Sequence, residues 1–217
     1  MTEALLAPNF LFRYSVPCRY KGELWSAKGA QLDEKYALPF FGELEGKRKY
    51  AELRAAWSEH GLAFALRVEG KSQPPWCRDS RIEDSDGLQI WIDTRNMQNI
   101  HRAGRFCHRF ALLPVGTGKS LSEPLAALLA INRAKESPRE IPRGSIQVRS
   151  HQSCSGYTLE ALISSDALTG FNLVDQPQLG FFYAVVDKEL GPQTFSLGPE
   201  FPFDEDPSLW GTLELVR

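Results

Sequence analysis

The sequence lacks the features that mark several broad classes of protein. Its charge is nearly balanced, with 25 Lys and Arg residues against 27 Asp and Glu residues, so the formal net charge is −2. A general nucleic-acid or membrane-surface binder needs an excess of positive charge, and the balance argues against both classes. No window approaches the roughly 20 apolar residues of a transmembrane helix, so the sequence predicts no membrane span.

A secretory signal and paired cysteines are also missing. Residues 1–8 have no basic segment followed by the sustained apolar stretch that directs secretion. The chain has four scattered cysteines, Cys18, Cys77, Cys107 and Cys154. They form no Cys-x-x-Cys pair, and a chain of this size needs no disulfides to stabilise its core. Together these patterns predict a cytoplasmic protein with free thiols.

Recognisable catalytic and nucleotide-binding motifs are absent as well. The sequence contains no Gly-x-Ser-x-Gly elbow, no His-Glu-x-x-His pair and no Rossmann fingerprint. The segment Gly116–Ser120 resembles the end of a phosphate-binding loop, but such a loop needs a glycine where this chain has Leu113. The sequence therefore predicts a protein that is not an enzyme.

What the sequence does contain is apolar alternation with period two. Every second residue is apolar between Gly61 and Gly70, and the run Tyr50–Trp57 alternates in the same way. Ser58–Gly61 joins the two runs as a compact hairpin connection. Further strands are predicted at Phe10–Arg19, Gly87–Thr94, Arg105–Leu113, Ser145–Ser150, Gly156–Ser164, Gly180–Asp187 and Trp210–Val216. About ten short strands separated by turn residues predict an all-β fold, an antiparallel β-sandwich in a single domain over residues 1–217.

Two segments have a different pattern. Between Ser120 and Ala134 the leucines recur at helical spacing, with Ser122 as N-cap and Pro124 in the first turn. This spacing predicts one short helix inserted among the strands. A single helical turn is predicted at Ser165–Leu168.

Four blocks of sequence, taken in order, carry a resemblance to a known family. They are Ala56–Phe64, Asp84–Asp93, Gly156–Ile163 and a C-terminal block that runs from Leu179–Asp187 to Pro207–Leu215. Their order and spacing resemble family 9 carbohydrate-binding modules and the wider DOMON-type group of sandwiches, over most of the chain from Arg54 onward. The resemblance implies a β-sandwich that binds a mono- or oligosaccharide without catalysis.

Sugar recognition needs flat aromatic faces against pyranose rings, and planar polar side chains for the hydroxyl groups. Trp76, in the loop Gln73–Trp76, lies where the family carries a binding tryptophan just before the acidic turn. On the strand Gly87–Thr94, Trp91 alternates with the core positions and shares a face with Gln89. Packing of Trp91 under a loop is the alternative, because most tryptophans are largely buried.

The sequence departs from the family at a second tryptophan. Family members that clamp a sugar between two tryptophans carry the second near the C-terminal loop. The comparable stretch here has Leu197 at that place, with Phe195, Phe201 and Phe203 nearby.

An arginine-rich strand offers further candidate ligand groups. Arg105 and Arg109 share one strand face, and their guanidinium groups suit the carboxylate of an acidic sugar or a phosphate. The alternative is cross-strand pairing with Glu160 or Asp93. The predicted ligand-binding residues are therefore Trp76, Trp91, Gln89, Arg105, Arg109 and Glu160.

No cofactor is predicted, although two metals remain open alternatives. His151 and Cys154 with Cys107 and His108 offer four ligands for Zn²⁺, but adjacent residues of a strand point to opposite faces. The loop Asp79–Asp86 has oxygen ligands suited to Ca²⁺ without EF-hand spacing.

Two other functions compete with sugar binding. In a DOMON-like haem or redox module, Met97 and His101 or His108 would supply the axial ligands. In a structural or protein-interaction domain, the predicted helix Ser120–Ala134 would be the docking surface.

Overall fold

Strands dominate the computed structural model, which describes residues 13–173 and 176–217. The strands are β1 Ser15–Tyr20, β2 Ala51–Ser58, β3 Gly61–Glu69, β4 Gly87–Asp93, β5 Cys107–Thr117, β6 Glu123–Leu129, β7 Ile146–Ser153, β8 Gly156–Ser164, β9 Gln178–Val186, β10 Gln193–Thr194 and β11 Gly211–Val216. Short 3₁₀ turns lie at Glu34–Tyr36, Phe41–Glu45, Asp79–Asp84, Ser165–Ala167 and Pro207–Leu209. No helix in these ranges is long and apolar enough to cross a membrane. The predicted start of the first strand at Phe10 lies outside the described residues.

The strands form one large, mixed sheet that folds back on itself. Its order is β6-β5-β4-β9-β11-β1-β2-β3-β8-β7, and β10 pairs only with β9. Neighbours are antiparallel except for β1, which runs parallel to both β11 and β2. The two ends of the sheet come together, since the Ser150 hydroxyl of β7 donates to the Pro114 carbonyl of β5. The predicted all-β class is confirmed, in a nearly barrel-like arrangement whose two halves face each other.

The core lies between the two halves of the sheet. The rings of Phe64 on β3 and Phe181 on β9 stack across it, with centroids 6.2 Å apart and planes 3° apart. The outer side of β4 is covered too, so every residue of Gly87–Asp93 is buried. Phe203 provides part of this cover by stacking on Phe182, with centroids 4.4 Å apart. This second apolar layer decides below which predicted site residues remain accessible.

The helix predicted between Ser120 and Ala134 is wrong, because these residues form the strand β6. Its register with β5 pairs Phe110 with Leu128 and Leu113 with Leu125. A short apolar run satisfies both a helical and a strand period, so spacing alone does not distinguish them. Pairing with β5 supplies hydrogen-bond partners along the exposed edge of that strand, and this tertiary gain outweighs local propensity. The proposed helical docking surface therefore does not exist, whereas the turn predicted at Ser165 is confirmed as a 3₁₀ turn.

The predicted hairpin between β2 and β3 is confirmed, and its last turn residue must be glycine. Gly61 has φ of +137°, and a Cβ there would overlap the carbonyl oxygen of Ile163 on β8. Gly61→Ala is expected to lower the free energy of unfolding by about 2–3 kcal/mol, because strain and steric overlap act together. Urea denaturation measures this change. Gly104→Ala is the control, since its Cβ would meet nothing within 4 Å; equal losses in the two variants would contradict the assignment.

Candidate functional site

Several loops leave the sheet at the same end of the sandwich. Gly87 at the start of β4 lies opposite Val186 at the end of β9, and Glu69 at the end of β3 lies opposite Gly156. The loop before β4 and the loop after β9 therefore start from neighbouring strand ends. We call residues 70–86 and 187–192 the Trp76 end.

A buried ionic cluster lies under the Trp76 end. The Nζ atom of Lys71 is 2.6 Å from Asp187 Oδ2, 3.2 Å from Asp86 Oδ2 and 3.7 Å from Glu189 Oε2. The side chains of Lys71, Asp86 and Asp187 are only 2%, 1% and 0% exposed. Burial alone lowers the pKa of Lys71, but the hydrogen bond that Lys71 donates to Asp187 and the charges of both aspartates outweigh it, so the pKa is raised. The ammonium group is therefore charged and held between carboxylates.

The two aspartates also hold the loop backbones. Asp86 Oδ2 accepts from the backbone N–H of Trp76 at 3.0 Å, and Asp86 Oδ1 accepts from that of Lys188 at 2.8 Å. Asp187 Oδ1 accepts from the backbone N–H of Glu189 and Leu190. One cluster thus fixes both loops of the Trp76 end against each other.

Glu189 closes the remaining gap between these loops. Its carboxylate accepts from the Ser72 hydroxyl at 2.6 Å, from the Ser72 backbone N–H at 2.8 Å and from the Gln73 backbone N–H at 3.1 Å. These hydrogen bonds, led by the Ser72 hydroxyl, lower the pKa of Glu189 to about 2. The loop that carries Trp76 is therefore tied down at both ends by carboxylates.

Trp76 is a half-buried ring on this fixed loop. Its backbone carbonyl accepts from the Asp86 N–H at 2.8 Å, in addition to the bond from its own N–H to the Asp86 side chain. The Arg78 guanidinium carbon lies 5.6 Å from the ring centroid, and Lys188 Nζ lies 5.4 Å from it. The site thus combines a positioned indole, two cations and the polar loop residues around them.

A second cluster brings together three predicted site residues, Gln89, Trp91 and Arg109. Trp91 lies opposite Arg109 in the β4–β5 register. The guanidinium of Arg109 donates to Gln89 Oε1 at 2.8 and 3.2 Å, pairs with Glu83 at 3.2 Å and lies 5.4 Å from the Trp91 ring centroid. Period-two alternation therefore predicted the shared face of Gln89 and Trp91, and the β4–β5 register adds Arg109 to it.

This cluster is closed rather than open to ligand. Trp91 is only 1% exposed, its Nε1–H donates to the Asp204 carbonyl at 3.2 Å, and Phe203 packs edge-on against it. That is the packing arrangement named above as the alternative. Gln89 and Arg109 are buried as well, and Gln89 donates to the Glu83 carbonyl at 3.0 Å. The cluster consequently holds the loop before β4 in place.

The other two predicted residues lie apart from both clusters. Arg105 is exposed just before β5, with its guanidinium carbon 5.0 Å from the Phe106 ring centroid. Glu160 lies on β8, where its Oε1 atom accepts from the Gln31 N–H at 3.2 Å.

The pairing considered between these arginines and Glu160 or Asp93 is not what the structure shows. Arg109 pairs with Glu83 instead. Asp93 accepts from the backbone N–H groups of Arg95 and Met97, and its pKa is raised because burial outweighs those bonds. The sequence did not reveal the Glu83 contact because that residue lies in a loop rather than on a paired strand.

The position of the missing second tryptophan is also internal. Leu197 is buried, and so are Phe195 and Phe203 nearby. Phe195 packs against Phe181 and Phe182 with centroid separations of 5.7 and 6.1 Å. These rings belong to the apolar layer over β9.

Sequence reasoning missed the Lys71 cluster entirely. Its members are 15, 116 and 118 residues from Lys71 in the chain, so no local motif contains them. One signal was available, because Asp86 directly precedes β4 and Asp187 directly follows β9, two strands rich in apolar residues. An acidic residue at such a boundary is placed where it can be buried and therefore needs a charge partner.

The metal alternatives find no support in the described ranges. They contain no group of three or more His, Cys, Asp or Glu side chains that could hold a metal ion. Of the four ligands considered for Zn²⁺, Cys107 and His108 are buried whereas Cys154 is exposed. In the loop considered for Ca²⁺, Asp84 pairs with Arg81 and Asp86 with Lys71.

The haem alternative is not supported by the positions of its ligands either. His108 is fully buried, and its Nε2 atom accepts from the Thr169 backbone N–H at 2.9 Å. His101 is exposed beside Asp206, and Met97 is exposed on the loop after β4. One ring nitrogen of His108 is therefore engaged inside the core, whereas the other two residues considered lie at the surface.

One Asp-His-Ser group lines a cavity of about 290 Å³, but it lacks the geometry of a catalytic triad. Asp206 Oδ2 and Ser208 Oγ both lie 3.1 Å from the same ring nitrogen of His101, Nδ1. A triad needs the carboxylate and the hydroxyl on different nitrogens, so that the ring can move a proton between them. Ser208 donates instead to Asp206 Oδ1 at 2.7 Å.

Comparison with known proteins identifies the fold. The amino-acid sequence matches no protein-family model and no curated protein. Among solved structures, it is similar to a family 9 carbohydrate-binding module from Caldicellulosiruptor kristjanssonii in complexes with cellotriose and with glucose. The identity is 13% and the TM-score 0.59 in both cases, over 94% of each chain for the cellotriose complex and over 93% of this chain and 95% of the other for the glucose complex.

A protein from Bacteroides uniformis, provisionally described as carbohydrate-binding, is similar with a TM-score of 0.60 and 13% identity. The match covers 94% of this chain and all of that one. The chain therefore has the fold of a family 9 carbohydrate-binding module.

Proposed function

We propose that this protein binds a mono- or oligosaccharide without catalysis, and that the Trp76 end is its binding surface. The observation that carries the proposal is the half-buried Trp76 ring, held by backbone bonds on both sides and bordered by polar groups. The fold adds support, because solved structures with the same fold hold cellotriose and glucose.

The physical argument begins with the ring. An indole face binds the apolar C–H face of a pyranose, and the surrounding polar groups bind its hydroxyls. A ring that is already fixed loses little conformational entropy when the sugar binds, which favours affinity. Lys188 and Arg78 are exposed beside the ring and can donate hydrogen bonds to hydroxyl groups.

Three of the other predicted residues have supporting roles in this proposal. Gln89 and Arg109 hold the loop before β4 through Glu83, and Trp91 packs beneath Phe203. Arg105 and Glu160 lie outside the Trp76 end and contribute nothing to it. Sugar contact thus rests on one accessible tryptophan rather than on a clamp of two.

Titration with a panel of glycans, including glucose and cellotriose, tests the proposal. Wild-type protein is expected to give a saturable change in tryptophan fluorescence and a matching calorimetric isotherm for at least one glycan. Trp76→Ala is expected to weaken that binding by about 10-fold or more, because the stacking face is lost.

Trp25→Ala is the matched control. Trp25 is also half-buried, but it packs against the separate apolar cluster around Leu24 and Leu32. Its removal is expected to leave the affinity unchanged, and circular dichroism verifies that both variants fold. The absence of saturable binding to every glycan, or equal affinities of Trp76→Ala and wild type, would refute the proposal.

A further inference from the structure

At the Trp76 end, most carboxylates have ion-pair or hydrogen-bond partners, whereas two cations have no carboxylate partner among the described residues. Asp86, Asp187 and Glu189 are engaged by Lys71 and by loop N–H groups, Asp84 by Arg81 and Glu83 by Arg109, whereas Asp79 is exposed. The cations Arg78 and Lys188 are exposed, and neither has a carboxylate within ion-pair distance in the described part of the chain. The groups that remain available to a ligand there are therefore mainly positive.

A groove adjoins the Trp76 end and repeats this pattern. Two hollows of about 380 and 540 Å³ meet at Arg48 and Tyr50; residues 190–200 form the other wall of the smaller one, and residues 67–70 form that of the larger one. We call them the Arg48 groove. Arg48 and Lys49 are exposed in it, and neither forms an ion pair with a carboxylate of the described residues.

The carboxylates that line the Arg48 groove are mostly paired. Glu52 is 2.6 Å from Arg54, and Glu69 pairs with Arg67. The cation Lys47 is neutralised by Glu45 at 2.6 Å. Glu200 is the remaining carboxylate that lines the groove. Its single negative charge is smaller than the two positive charges of Arg48 and Lys49, so the groove keeps an excess of positive charge.

The groove and the Trp76 end share their walls. Gly70 borders the groove and directly precedes Lys71, whereas Leu190 borders it and directly follows Glu189. The ionic cluster that fixes Trp76 therefore also fixes two edges of the groove. The Arg48 groove therefore begins at residues that adjoin the cluster holding the Trp76 loop.

We infer that the ligand is an acidic oligosaccharide, whose anionic group is bound by Arg48 and Lys49 while a neighbouring unit stacks on Trp76. This inference rests on the proposed function and names its substrate class. A guanidinium binds a carboxylate or a sulfate ester through two parallel N–H bonds, and an ammonium adds a second charge. A neutral oligosaccharide would offer these cations only hydroxyl oxygens, which bind a charged donor more weakly than a carboxylate or a sulfate ester does.

Calorimetric titration with three trisaccharides tests the inference: a uronic acid trimer, a trimer of neutral sugar units that carries a sulfate ester, and cellotriose. At least one anionic trimer is expected to bind about 10-fold more tightly than cellotriose. This preference is expected to shrink as ionic strength rises, because salt screens exposed charges. The uronate and sulfate arms show which anionic group the groove accepts.

The double variant Arg48→Gln with Lys49→Gln is expected to abolish the preference while retaining the affinity for cellotriose. Lys28→Gln with Lys135→Gln is the matched control, since it removes the same charge from exposed sites elsewhere. Its preference is expected to equal that of wild type.

The outcomes separate the two proposals. Equal binding of neutral and anionic trimers, with no effect of the groove variant, overturns the inference and leaves sugar binding at Trp76 intact. Anionic binding that survives Trp76→Ala but not the groove variant supports the anionic site and overturns the stacking proposal. Lack of binding to all three trimers and to the wider glycan panel overturns both.

Discussion

Replacement of Lys71 by methionine is expected to lower the free energy of unfolding by about 3–5 kcal/mol. Methionine nearly fills the volume of the lysine but leaves Asp86 and Asp187 facing each other without a cation. Those side chains are 1% and 0% exposed, so water does not replace the lost charge. The loss therefore comes from uncompensated buried charge rather than from a cavity.

Urea unfolding of Lys71→Met and wild type measures this effect. Lys35→Met is the control, because Lys35 also pairs with an aspartate, Asp33 at 3.6 Å, but on an exposed surface. Exposed pairs contribute at most about 1 kcal/mol, so the control is expected to remain close to wild type. A Lys71→Met protein as stable as wild type would show that the cluster does not hold the loops.

The second large effect is expected on acidification, through His108. Burial lowers the pKa of His108 to about 4 from its ordinary 6.5. Protonation would also turn its Nε2 atom from an acceptor into a donor that faces the Thr169 N–H. The folded protein therefore resists a proton that the unfolded chain accepts.

The sign of the pH dependence follows from this difference. Above pH 6.5 the ring is neutral in both states and the effect is absent. As the pH falls from 6.5 to 4, only the unfolded chain takes up the proton, so folding loses about 3 kcal/mol. His108→Gln keeps an acceptor near Thr169 and removes the titrating ring. Between pH 6.5 and 4, the free energy of unfolding of this variant is therefore expected to fall by about 3 kcal/mol less than that of wild type.

Unfolding free energies at several pH values between 7 and 4 give the slope of stability against pH for wild type and for His108→Gln. His151→Gln is the control, because His151 is exposed on β7 and its removal leaves the buried ring in place. The control is expected to follow the wild-type curve. Identical slopes for wild type and His108→Gln would contradict the assignment of acid sensitivity to this residue.

The strands were largely predictable, since side-chain alternation is a local property. The hairpin of β2 and β3 and the strand β8 were predicted closely because each has one face toward the core. β6 was not, because its seven residues, Glu123–Leu129, are mostly apolar and fit two periodicities. Only the neighbouring edge of β5 decided between them.

The candidate site was predictable only where its residues lie on paired strands. Alternation placed Gln89 and Trp91 on one face of β4, and the pairing of β4 with β5 brought Arg109 beside them. The Lys71 cluster combines loop residues more than 100 positions apart, and no periodic pattern relates such residues.

The sequence by itself determined that this chain forms short strands, where most of them lie and which side chains share a face. Only the tertiary structure decided which aromatic faces meet solvent. Trp91 and Trp76 were both predicted to bind the ligand, yet the segment around Phe203 covers the first, whereas the buried carboxylate of Asp86 holds the loop of the second at the surface. Alternation assigns a side chain to a face of its own strand, and what packs on that face comes from distant parts of the chain.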